Sequence, residues 1–146
     1  MRQERKLWNN VLPHFYANPR TMSQFLAIAL GGASGALLRF WTSQGVHHLF
    51  GRSFPIGTLV VNVLGSFLMG LLFIYLLERS QIAPEWRAAL LIGLLGAFTT
   101  FSTFSIETIN LIEQGEQFKA FINIMLSVGL CLIATWLGII IGRQLS

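Results

Sequence analysis

Four apolar runs with no charged residue divide this chain: Thr21–Leu38, Ser53–Leu77, Ala88–Ile106 and Ala120–Gly142. Each is long enough to cross a bilayer, which takes about 17–25 helical residues. Almost all the charge falls between them. The runs are continuous rather than alternating, which argues against a β-barrel. The pattern predicts an all-α membrane protein in one domain, with four transmembrane helices over about residues 23–43, 54–78, 87–112 and 118–142. A basic stretch, residues 1–20, precedes them. It reads either as a tail or as a short interfacial helix anchored by Trp8, Phe15 and Tyr16. Gly31, Gly32 and Gly35 inside the first run, with Arg39 directly after it, favour a retained helix over a cleaved signal peptide.

The third run breaks the apolar pattern. Five of the seven residues from Thr99 to Ser105 carry hydroxyls, and the other two are Phe101 and Phe104. Gly93 and Gly96 lie just before them. Irregular, polar backbone at membrane depth is tolerated only where it packs in protein or lines a cavity. The third helix is therefore expected to be broken near its middle, at an ion or solute path. Polar stripes mark two other helices. Thr58, Asn62, Ser66 and Gly70 recur every four residues in the second run, and Asn123, Ser127, Cys131 and Thr135 in the fourth. Such spacing places each set on one helix face.

Small and hydroxyl residues at this spacing also serve plain helix packing, and that reading is preferred for Gly65, Ser66, Gly70 and Thr135. Gly31-x-x-x-Gly35 and Gly138-x-x-x-Gly142 read the same way. An amide differs, because hydrocarbon cannot satisfy its donors and acceptor. Asn62 is therefore a candidate functional residue, with Asn123 less strongly marked.

Composition agrees with the spans. The 146 residues are 53% hydrophobic and 11% charged, against about 25% charged in a soluble domain. The net charge of +4 bears on topology and anionic headgroups rather than nucleic acid. With four spans, one side of the membrane collects Arg2, Arg5, Lys6, Arg20, Arg79, Arg87 and Arg143, and the other Arg39, Arg52 and Lys119. The termini then face the cytoplasm. Without residues 1–20 the two sides carry three basic residues each. That balance favours dual topology, with copies inserted both ways; the alternative is that the extension fixes one orientation.

Absences narrow the chemistry. The chain has no Asp, and no carboxylate lies within the four runs; Glu107 sits just past the end of the third. Cation and proton pathways ordinarily need buried acids. What remains is hydroxyl and amide donors with Phe rings, whose positive edges attract anions. Arg39 reads either as a vestibule residue drawing anions in or as a snorkelling anchor, and His47 and His48 as a surface pair in the first loop. Four small helices leave no room for a lumen of their own, so a pore implies an oligomer or a subunit groove. No nucleophile–base pair, metal cluster or nucleotide loop is visible, so an enzyme is not expected.

Three blocks in order carry a resemblance: Gly32-Ala-Ser-Gly35-x-x-x-Arg39, then Gly57-Thr58-Leu59-x-x-Asn62-x-x-Gly65-Ser66-Phe67-x-x-Gly70, then Gly96-x-x-Thr99-Thr100-Phe101-Ser102-Thr103-Phe104-Ser105. Together they resemble the CrcB/Fluc fluoride ion channels over roughly residues 23–143. The resemblance implies an antiparallel, dual-topology homodimer in a bacterial inner membrane, which passively exports toxic fluoride. It implies a pore with Asn62 as amide donor, the ring edges of Phe101 and Phe104, and hydroxyls of Thr58 and Ser127. Asn123 belongs to a more variable part of that path, and Arg39 to its vestibule. The backbone carbonyls of Gly96 and Thr99 would hold a structural sodium ion at the dimer interface. Ala97 stands where many members have a second Gly. Two other classes compete with this reading. A dual-topology multidrug exporter of four helices needs an embedded Glu in the first span, and Thr21–Leu38 has none. A nonconducting membrane assembly subunit would use the polar stripes only for packing.

Overall fold

A computed structural model of the chain describes residues 19–78 and 82–145. Among these residues the only regular structure is helical: α1 (Pro19–Phe50), α2 (Ile56–Glu78), a composite third crossing, and α6 (Gln117–Leu145). The third crossing runs through α3 (Pro84–Arg87), a π-helical stretch (Ala88–Leu95), α4 (Gly96–Phe98) and α5 (Phe101–Glu113). Four stretches are long and apolar enough to span a membrane, namely Thr21–Phe50, Ile56–Leu76, Pro84–Glu113 and Gln117–Leu145. The chain is a multi-pass membrane protein. The expected interfacial helix or tail in residues 1–20 lies almost wholly outside the described residues.

The helix ends follow local chemistry. Pro84 opens α3, where its missing N–H costs nothing. Gly115, at φ 78°, closes α5. Its N–H donates to Ile112 O at 3.0 Å and the Glu116 N–H to Leu111 O at 2.8 Å, the two bonds of a Schellman turn. That turn reverses the chain into α6.

Two helix pairs form the bundle. α2 packs along α6, and α1 along the π-helical stretch. Both contacts are backbone-close. A Cβ at Gly35 would collide with the Leu94 carbonyl and one at Gly31 with that of Ala89. A Cβ at Gly70 would strike Thr135 O, and one at Gly138 would strike Phe67 O. The small-residue motifs are thus the seams of the bundle, where van der Waals packing replaces the absent hydrophobic driving force. The opposite faces carry large apolar side chains outward: Leu30 is 71% exposed and Leu132 67%. Only 6% of the first span is buried, so most of its surface meets lipid or another subunit.

One expectation needs correction, and one residue of the third crossing gains a partner. α1 continues to Phe50, so His47 and His48 belong to its last turn rather than to a loop. Glu107 belongs to α5, within the third crossing, and bonds inward to Thr58 of α2. The helix expected over residues 87–112 contains this carboxylate, which directly follows the uncharged run and is partly buried in the bundle.

Candidate functional site

The site is built around two residues that leave helical geometry. Thr99 (φ −80°, ψ 155°) and Thr100 (φ −151°, ψ 115°) are extended between α4 and α5. A helix end leaves its last carbonyls and first N–H groups without partners in the helix. Side chains here supply several of them. The Thr100 hydroxyl accepts from the Thr103 N–H at 3.2 Å, capping α5. The Asn62 side chain bridges Thr100 from α2, donating from Nδ2 to Thr100 O at 3.0 Å and accepting the Thr100 N–H on Oδ1 at 2.8 Å. Arg39 Nε on α1 donates to Ala97 O at 3.2 Å. The Thr99 N–H and hydroxyl both donate to Leu95 O. Gly96 is exposed, and a Cβ there would meet only Leu91 O, at 3.7 Å.

A groove of about 360 Å³ opens beside this segment. Asn62 and Ser66 of α2, Thr99 and Thr100, Phe101 and Phe104 of α5, and Ser127, Cys131 and Thr135 of α6 line it. The two phenylalanine rings lie 5.3 Å apart between centroids and tilt by 49°. Their environments differ sharply. Phe101 is 77% exposed, whereas Phe104 is buried at 7%. One ring is presented outward and the other is set into the subunit. Gly65 gives this wall its shape, since a Cβ there would lie 3.1 Å from the Phe98 ring and overlap the Thr99 methyl.

A second cavity, about 350 Å³, also borders this segment, at Thr100. Arg39, Ser43, Thr58 and Thr103 line it, with His47 and Arg52 toward the loop end. Thr100 lines both spaces. At the cavity's edge the Thr58 hydroxyl donates to Glu107 Oε1 at 2.9 Å, while Glu107 Oε2 is buried without a partner among the described residues.

The candidate residues thus fall into three places. Asn62, Phe101, Phe104 and Ser127 share the groove, and Thr99 forms part of its wall. Arg39 and Thr58 belong to the second cavity. Asn123 lines neither. It is 1% exposed and donates from Nδ2 to the Thr108 hydroxyl at 2.8 Å. Thr108 donates in turn to Phe104 O at 2.7 Å, and Ser127 reaches Asn123 Oδ1 at 3.5 Å. Asn123 therefore ties α6 to the helix that carries Phe104. Sequence reasoning did not single out Thr100, Thr108 or Glu107 as site residues. Thr100 sat unmarked in the hydroxyl-rich run. Glu107 and Thr108 follow Phe104 by three and four residues, the helical spacing that would have grouped them with it.

Residues 26–139 match the profile of the family described as CrcB-like protein, Camphor Resistance (CrcB). Among curated proteins the chain is 57% identical over 120 residues to a protein of Methylococcus capsulatus named Fluoride-specific ion channel FluC. That match covers 82% of this chain and 53% of the relative, so the chain spans about half that protein's length. A FluC of Coxiella burnetii is 55% identical over 121 residues, covering 82% of this chain and 98% of that one. One from Geobacter sulfurreducens is 52% identical over 124 residues, covering 85% and 100%. With the family profile spanning all four crossings and relatives matched over nearly their whole length, this chain belongs to the CrcB family.

Proposed function

We propose that the chain is a passive, fluoride-selective channel subunit, not an enzyme, that exports fluoride from the bacterial cytoplasm across the inner membrane. The observation that carries this is the groove itself. Phenylalanine rings, an amide and hydroxyls converge on it, and among the described residues no carboxylate lines it. The FluC names of the relatives supply the ion. Fluoride holds its water tightly, so a selective path must replace that water with close donors. Asn62 commits one amide hydrogen to Thr100 O and keeps a second for an ion. Ring edges at Phe101 and Phe104 add favourable quadrupole contacts.

The path we infer enters through the cavity at Arg39 and Thr58, passes Thr100 and Asn62, and continues along Phe104, Phe101 and Ser127. Asn123 acts on it from behind, by holding the Phe104 helix. The working unit is an antiparallel homodimer of dual topology, embedded in lipid. Two observations support a second copy: an open groove with a 77% exposed Phe101, and a barely buried first span. In this assembly the helix interruption takes on a further task. The Gly96 and Thr99 carbonyls of both subunits would hold a structural sodium ion at the interface, hard oxygen donors for a hard cation. The uncrowded backbone at Gly96 fits that role.

Efflux from liposomes containing the purified protein tests the reading. Fluoride should leave far faster than chloride. Fluoride release no faster than from protein-free liposomes would overturn it.

A further inference from the structure

The loop end of the second cavity holds one group the conduction path does not use. His47 lines that cavity together with Arg39 and Arg52. It also lines an adjoining cavity of about 410 Å³ with Glu107 and Asn110, and a third of about 370 Å³ with Gln44, His48 and Arg52. The imidazole thus stands where three polar spaces meet. It is half-buried and held in place. Nδ1 lies 3.3 Å from Gly51 O, which can only accept, so this contact is a hydrogen bond when Nδ1 carries the hydrogen. Gly57 makes room for the ring, since a Cβ there would lie 2.7 Å from Nε2 and from Ser43 Oγ.

The charged groups facing this junction are few among the described residues. Arg39 and His48 come from α1, Arg52 from the α1–α2 loop and Glu107 from α5. Two permanent cations therefore oppose one carboxylate. Arg52 is turned toward Gln44, with Nη2 donating to Oε1 at 3.1 Å, and Arg39 lies deeper, on Ala97 O. One added charge at His47 changes the field at the mouth substantially. Clefts lined by one sign of charge raise the local concentration of the opposite ion and its rate of entry.

We propose that His47 is an anion-collecting residue at the mouth of the path, and that its protonation raises fluoride entry. The proposal rests on the fluoride-channel reading and adds a proton-controlled step to it. Acidification would then open the way for the anion on the side where protons are plentiful. Imidazole is the side chain that ordinarily changes charge between about pH 5 and 8.

Current across planar bilayers containing the full chain provides the test, because neutral hydrogen fluoride carries no current. Fluoride is kept low enough that entry limits the current. Between about pH 8 and about pH 5.5 the wild-type current should rise roughly two- to threefold. The ratio should fall toward one in about 1 M inert salt, where the Debye length is about 3 Å. His47→Gln and His47→Arg should each give a ratio near one, the first lacking the charge and the second keeping it. A wild-type current that does not change with pH overturns the proposal. So does an unchanged ratio in both variants, which would assign the effect to Glu107 or His48. Absence of fluoride current at every pH overturns the channel reading itself, and this proposal with it.

Discussion

Asn62 and Thr100 exchange two hydrogen bonds, 2.8 and 3.0 Å long, between a side-chain amide and a backbone peptide. A residue of α2 thereby supplies what the interrupted third helix gives up. The same amide faces the groove, so Asn62 shapes the interruption and offers a donor to the ion.

Replacing Asn62 by Leu should therefore affect two observables. The Thr100 N–H and O would lose their partners, at about 1–3 kcal/mol for each buried group left unpaired. Fluoride flux should fall at least tenfold. Thermal unfolding in detergent and liposome efflux, measured on the same preparation, check both. Unchanged flux with lowered stability would leave Asn62 a structural role only.

The two phenylalanines should separate stability from conduction. Phe104 is buried and Phe101 exposed. Phe104→Ile should cost about 1–3 kcal/mol through altered packing, and Phe101→Ile much less. Each should reduce fluoride flux, because either change removes an aromatic quadrupole from the groove. Full flux in the double variant would refute the ring-edge argument.

The bundle seams give a cleaner packing test. Gly35→Ala drives a methyl into the Leu94 carbonyl, whereas nothing lies within 4 Å of a Cβ at Gly45. Gly35→Ala should destabilise by about 1–3 kcal/mol. Gly45→Ala, in the same helix, should be neutral or stabilise by up to about 1 kcal/mol. Thermal melts of the two variants side by side decide it.

Orientation is testable in cells. A reporter fused to the C-terminus, active on only one side of the membrane, should show both orientations if the balanced core charge governs insertion. Deleting residues 1–20 should move the distribution closer to equal, since the remaining basic residues divide three against three. A single orientation in both forms would refute dual topology.

Much of the fold was legible because lipid imposes a simple rule: a crossing must be apolar and helical. Uncharged runs located the four crossings. The glycine motifs located the seams, because only glycine lets two backbones approach so closely. The family resemblance groups Asn62, Phe101, Phe104 and Ser127, and these four residues line one groove. What periodicity could not convey was pairing across helices. Asn123 and Ser127 share a stripe, yet Asn123 turns to Thr108 because α5 lies against that part of α6. Thr58 and Asn62 also share a face, but Thr58 reaches Glu107 and lines the second cavity. Glu107 falls inside the expected third span, but only the structure shows that its partner is the Thr58 hydroxyl of α2. The uncharged pattern places His47 in a loop because nothing in it shows α1 running on to Phe50.

The central claim is passive conduction selective for fluoride. The reversal potential of the current across a planar bilayer holding only this protein tests it most directly, with fluoride and chloride gradients set in opposite directions. The account predicts a reversal potential that follows the fluoride gradient and stays put when the chloride or proton gradient is changed. A reversal potential that tracks chloride would contradict the selectivity, and one that shifts with the proton gradient would contradict passive conduction.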